Sequence, residues 1–335
     1  MRHRRATIIA AALLGLGQAW LGAAAQGTGE AVEEVAPEAE KTPYATPTRR
    51  DRVGRILAPV EINGRGPFRF ILDTGANRSA VSPRLVAALG MDPAAMAPVS
   101  VHGVTGTADL PVVELESLRA GEVDLGPVRA PVLDDSVFAG ADGILGIVGL
   151  QQSRIRVDFK RDLVTIERST GRRAPSGYLT VPARAELGGL LVVEGSVGKV
   201  NARVIIDTGA ERTLGNIALR DQLIDQHGSR QSFDTTVIGA TPDTQQGLTF
   251  VAPQVSIGVA YLHNLPVTFG DMHVFEIWGL TSEPALLIGM DLLGTLERFV
   301  VDYGRQEFWL KTHRQTGVKF NRCTLDCGTR VPRTK

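Results

Sequence analysis

The sequence predicts an all-β chain built from two similar halves. Three observations carry this prediction. The stretch Phe70-Ile71-Leu72-Asp73-Thr74-Gly75-Ala76 returns as Val204-Ile205-Ile206-Asp207-Thr208-Gly209-Ala210. Its surroundings return in the same order. Gly64 and Gly198 each lie nine residues before the acid, Arg69 and Arg78 match Arg203 and Arg212, and Val101-His102-Gly103-Val104-Thr105 matches Val237-Ile238-Gly239-Ala240-Thr241. Further on, Ile144-Leu145-Gly146 matches Leu287-Ile288-Gly289, and each copy closes with a predicted hairpin, Ile155 to Ile166 and Phe299 to Leu310. Self-similarity of this kind marks an internal duplication. Short apolar runs broken by Gly and Asn turns are the pattern of strands.

The chain has 335 residues, enough for two lobes with cores of their own. With 43% hydrophobic and 21% charged residues, its composition is that of a globular protein. The formal charge is zero, so charge points to neither a nucleic acid nor a membrane surface as partner. Residues 1–25 read as a signal peptide. Arg2, Arg4 and Arg5 precede an apolar run from Ala6 to Leu21, and Ala23-Ala24-Ala25 supplies the small residues of a cleavage site. The chain is therefore expected to be exported, to a periplasm or the exterior. Left uncleaved, the segment is about 20 residues, just long enough to anchor in a membrane. Residues 26–50 contain five Glu and three Pro and lack a periodic apolar face, as a flexible linker does.

The first half is read as 51–168. Ile56 to Ile62 and Phe68 to Leu72 form two strands around the hairpin signal Asn63-Gly64. The second of them delivers Asp73. Ser82 as N-cap and Pro83 at the first helical position open a helix that Gly90 stops. Val99 to Leu118 reads as one hairpin, with Gly103 and Gly106, and Val123 to Leu133 as another. Asp142 has the spacing of a turn residue.

Residues 169–185 contain Gly171 and Pro175 and read as an inter-lobe linker. The second half, 186–312, repeats the first hairpin around Gly198, then shows a helical pattern from Arg212 to Asp225. Asp234 to Phe250 is the second long hairpin, with Gly239 and Gly247. Phe269, Phe275 and Trp278 read most simply as core aromatics. The tail, 313–335, is basic and holds Cys323 and Cys327, a candidate small-loop disulfide in an exported protein.

An apolar run ending in Asp-Thr-Gly-Ala, with an apolar-apolar-Gly element downstream, resembles the aspartic proteases. The Ala after the Gly and the size of the halves resemble the retropepsins, here in the bacterial single-chain form with both aspartates in one polypeptide. The resemblance covers about 51–312 and implies two acid-protease β-barrel lobes with an active-site cleft between them. It makes Asp73 and Asp207 the catalytic dyad and Thr74, Gly75, Thr208 and Gly209 its braces. It makes the two long hairpins flaps, with Gly103, Thr105, Gly106, Gly239 and Thr241 over the substrate. It places Gly146 and Gly289 in strands that buttress the active loops. Members often carry Asp two residues after that Gly; Asp291 keeps it and Val148 does not. The implied partner is a polypeptide bound as an extended strand. One chain supplies both aspartates, so a monomeric pseudo-dimer is expected, with no cofactor and no metal.

The chemistry follows from the pair. Two carboxyls about 3 Å apart do not both ionise, as in the known aspartic-protease dyads. One then serves as general base toward water and the other as acid toward the peptide. Ala76 and Ala210 lack the hydroxyl that pepsin-like enzymes place beside the carboxylate. The dyad is therefore expected to titrate higher, with activity at weakly acidic to neutral pH. Two other readings stand beside this one: a peptide-binding module on the same fold, and two structural turns that never meet.

Overall fold

A computed structural model describes residues 46–47, 49–51, 54–228 and 231–313. The segment expected to be a signal peptide, most of the expected 26–50 linker, and Cys323 and Cys327 lie outside the described residues. The described chain is mostly strand, with a few short helices.

Each half begins with an antiparallel hairpin that ends at an aspartate. In the first, Ile56–Ile62 pairs with Arg65–Leu72. Asn63 and Gly64 both take positive φ, at 50° and 68°, which a tight turn matching the strand twist requires. The second half uses Leu190–Val197 and Val200–Ile206 around Gly198, at φ 60°. The helix after the first aspartate spans Pro83–Leu89, with Ser82 accepting from the Leu85 N–H and Gly90 ending it in the left-handed region. An apolar core runs through both lobes, and a smaller cluster in the first lobe gathers Leu57, Ile71, Leu133, Phe138 and Ile144. Phe269 and Phe275 are buried core residues, and Phe269 stacks on Phe250.

Six neighbouring strands at one end of a 15-stranded sheet join the lobes. Their order is Thr46–Pro47, Leu163–Arg168, Ser153–Asp158, Leu296–Asp302, Glu307–Thr312 and Leu179–Glu186. The central pair, Ser153–Asp158 with Leu296–Asp302, is antiparallel and comes one strand from each half. Its register sets Arg154 opposite Asp302 and Asp158 opposite Arg298. Both pairs close as ion pairs, at 2.7 Å for Arg154–Asp302 and 2.6 Å for Arg298–Asp158. Each aspartate also accepts a backbone N–H from its own turn, Asp158 from Arg161 and Asp302 from Arg305. The matched pairs Arg154/Asp158 and Arg298/Asp302, one from each half, thus tie the two halves together reciprocally.

Several expectations need correction. The hairpin expected over Val99 to Leu118 ends at Leu110, because Pro111 has no N–H to continue the ladder. Val112–Leu115 leaves to pair with Val128–Pro131 instead. Val123 to Leu133 is therefore not a hairpin of its own, and Val123–Asp124 pairs with Leu118–Ala120 across Gly121. The helix expected from Arg212 begins at Ile217, where Asn216 caps it by accepting from the Leu219 N–H. Leu214–Gly215 is captured by the sheet before it. The linker expected over 169–185 becomes strand at Leu179, and the 26–50 linker holds two short strands, Thr46–Pro47 and Arg49–Arg50. Edge positions of existing sheets recruit such segments through backbone bonds that composition does not reveal.

The Asp302 side chain is 0% exposed and that of its Arg154 partner 5%, against 9% for Asp158 and 19% for Arg298. Removing one member of a buried pair leaves the other charge uncompensated, which costs about 3–5 kcal/mol. Asp302→Ala is expected to lower unfolding stability by about that amount in urea titration, and Asp158→Ala by less.

Candidate active site

The two aspartates leave their strands in the same way. Arg65–Leu72 is flanked in parallel by Gly143–Leu145, and Val200–Ile206 by Ala285–Ile288. The Asp73 N–H donates to Leu145 O and the Asp207 N–H to Ile288 O, both at 3.0 Å. Past the buttress strands the contact continues: Ile147 N–H donates to Ala76 O and Met290 N–H to Ala210 O. Gly146 and Gly289 sit where a Cβ would strike the backbone of Arg78 and Arg212, at 2.5 and 2.7 Å from their carbonyl oxygens. Only glycine lets the buttress lie this close to the active loop.

The loops then meet. Thr74 Oγ1 donates to Ile206 O at 2.6 Å and accepts from the Thr208 N–H at 3.1 Å. Thr208 Oγ1 donates to Leu72 O at 2.6 Å and accepts from the Thr74 N–H at 3.1 Å. Both threonines are fully buried. A Cβ on Gly75 would overlap the Asp207 carboxyl, and one on Gly209 the Asp73 carboxyl. The two carboxyls lie within hydrogen-bonding reach of each other. Asp73 Oδ1 accepts from the Gly75 N–H at 2.9 Å; Asp207 Oδ1 accepts from Gly209 at 2.8 Å and Ala210 at 3.0 Å.

A protein-family model described as aspartyl protease matches the chain twice, over 58–148 and 193–292, together more than half of its length. The chain belongs to the aspartyl protease family. A search of curated proteins gave no match. The two matches fall on the two halves, as in a retropepsin-like aspartyl protease with tandem lobes.

Sequence reasoning missed two hydroxyls of this family member's site. Ser79 Oγ accepts the Gly146 N–H, and Thr213 Oγ1 accepts the Gly289 N–H. Each lies six residues after its aspartate, a match the repeat alignment already contained. Thr213 is held further by Asp291, which accepts from its hydroxyl at 2.7 Å and its N–H at 3.0 Å. Val148, at the place of Asp291, is half exposed, so the bracing differs between halves. Asn77 was also missed: its amide donates to Gly188 O at 2.8 Å, tying the first active loop to the second lobe.

The two long hairpins meet at their tips. The first pairs Val99–His102 with Thr107–Leu110 and the second Ser232–Ile238 with Thr244–Val251. Thr105 Oγ1 and Thr241 Oγ1 are 3.2 Å apart, and both residues are buried. Gly103 faces Thr241, Gly239 faces Thr105 and Gly106 faces Asp243, each too close for a free side chain. Ala240 packs on the first lobe's smaller cluster, which also holds Ala76 beside the active loop.

Burial raises the proton affinity of both carboxyls. Asp207 is held well above the usual carboxylate range by burial first and then by the Asp73 charge, against the Gly209 and Ala210 N–H groups. Asp73 is raised by burial, against the Gly75 N–H and the Asp207 side chain. The folded pair thus binds protons more tightly than the unfolded chain. Its contribution to stability falls as pH rises from the unfolded carboxylate range through the raised folded value. Asp207→Asn is expected to melt a few degrees above wild type at pH 7, with the gap closing toward pH 4, in thermal unfolding followed across pH.

Proposed function

We propose that the chain is an aspartic endopeptidase that hydrolyses peptide bonds with water activated by Asp73 and Asp207. The observation that carries this reading is the facing pair of carboxyls, Asp207 buried and Asp73 partly buried, tied across the axis by Thr74 and Thr208. At working pH the pair shares one proton. The ionised member takes a proton from water, and the protonated member donates to the peptide carbonyl oxygen. Water attacks the carbonyl carbon, and a proton passes to the departing nitrogen as the C–N bond breaks. The substrate lies as an extended strand beneath the flaps, which open to admit it. Both aspartates come from one chain, so the active form is a monomer. The arginine-led apolar N-terminus directs the chain to export.

The raised proton affinity of the pair, with Ala76 and Ala210 giving no side-chain hydroxyl to the carboxylates, supports work at weakly acidic to neutral pH. The test is cleavage of an unfolded protein from pH 3 to 8 by wild type, Asp73→Asn and Asp207→Asn. Wild type is expected to cleave best above pH ~4, and each variant to lose about 10³-fold or more in kcat/KM. Cleavage that survives either substitution would overturn the dyad. Binding of extended peptides without cleavage at any pH would favour the peptide-binding module.

A further inference from the structure

We propose that the first flap is held shut by a one-sided, proton-sensitive latch in which Thr107 bridges His102 to His273 of the opposite lobe. Thr107 Oγ1 lies 2.8 Å from His102 Nδ1 and 2.8 Å from His273 Nε2. The two rings are 6.1 Å apart. His273 opens the short helix His273–Ile277, whose next residue donates its N–H to Val104 O at the flap tip, at 3.3 Å. Gln245, on the second flap, accepts the His273 N–H at 2.9 Å. The latch therefore joins the first flap, the second flap near its tip and the helix.

The duplicated flap has no counterpart. By the repeat alignment, Ile238 and Asp243 stand where the first flap has His102 and Thr107. Ile238 is exposed. In a site that is otherwise nearly symmetric, this is a departure at the part that must move for substrate to reach the dyad.

Neutral rings complete a directed chain. His273 Nδ1 is 3.4 Å from the Glu276 carboxylate, which favours a proton on Nδ1 and leaves Nε2 as acceptor. Thr107 donates to Nε2, and His102 Nδ1–H donates to Thr107. A second proton on His273 turns Nε2 into a donor. Thr107 can then only accept from that nitrogen, and protonation of His102 as well sets two cations 6.1 Å apart, whose repulsion loosens the latch. The surrounding charged groups are acidic: Glu276 against His273, Asp243 beside Gly106, and Asp271 and Asp109, exposed at the neighbouring chain positions. Histidines change charge between pH 8 and 5, and that is the interval over which the latch responds. The flap opens as the rings charge. That this opening admits substrate rests on the peptidase reading; the latch itself does not.

Hydrogen exchange on the full chain reads the latch without catalysis. The reporter is the Val274 amide, corrected for the intrinsic pH dependence of exchange. The Asp207 amide, bonded to Ile288 O, is the control for global opening. Wild-type protection at Val274 is expected to fall about threefold to tenfold from pH 8 to 5, the scale of one net hydrogen bond. Thr107→Val is expected to be equally weak at both pH values. His273→Gln, which keeps a neutral hydrogen-bonding side chain, is expected to be equally protected at both. A pH-independent wild type, or either variant keeping the wild-type drop, overturns the proposal. Cleavage assays on the same proteins separate the two claims. Exchange as expected with no cleavage at any pH sinks the peptidase reading and leaves the latch standing.

Discussion

Two carboxyl groups have to be held face to face out of water, and the rest of the structure answers to that constraint. Mutual repulsion and lost hydration both push such a pair apart. The holding force here comes from hydroxyls. Thr74 and Thr208 make four hydrogen bonds across the axis, two with each other and two to the Ile206 and Leu72 carbonyls, and both threonines are fully buried. A cation in their place would draw both carboxyls to the ionised form. Neutral donors fix geometry and leave the titration to burial and to the partner charge.

That arrangement needs a rigid support on each side. The parallel buttress strands provide it, because their backbone bonds to Asp73, Ala76, Asp207 and Ala210 leave the loops little freedom. Gly146 and Gly289 matter for the room they leave rather than for positive φ. The inter-lobe strands join the halves, and the reciprocal Arg–Asp pairs match their register. The linker is tied down as well, since Arg154 and Arg305 donate to the carbonyls of Arg172 and Gly171. The halves are thus coupled at the dyad, at the sheet and through Asn77.

Departures from symmetry fall at specific places. Thr213 gains a carboxylate partner in Asp291 that Ser79 lacks, so the second active loop is the more firmly held. Asp207 is also the more buried of the two aspartates. The first long hairpin carries polar ties to the opposite lobe through Thr107 and Val104, while the second leans on the first lobe through Ala240. A duplicated chain is free to diverge in this way where a symmetric dimer of identical chains is not.

By itself the sequence determined the duplication, the strands that end at Asp73 and Asp207, the Asn63-Gly64 turn and the Ser82 cap. Each is written in local chemistry: an apolar run, a turn dipeptide, a hydroxyl before a proline. The repeat also named the two facing aspartates with their threonines and glycines, because one motif was present twice with matched surroundings. Only the tertiary structure decided what crosses between halves. Val112–Leu115 and Val128–Pro131 found each other, Leu179–Glu186 joined the inter-lobe sheet, and Arg154 met Asp302. His102 and His273 are 171 positions apart and share one threonine hydroxyl that no periodicity points to. Such pairings depend on which edges and surfaces come together when the lobes close, and a linear pattern carries the residues of a contact without its geometry.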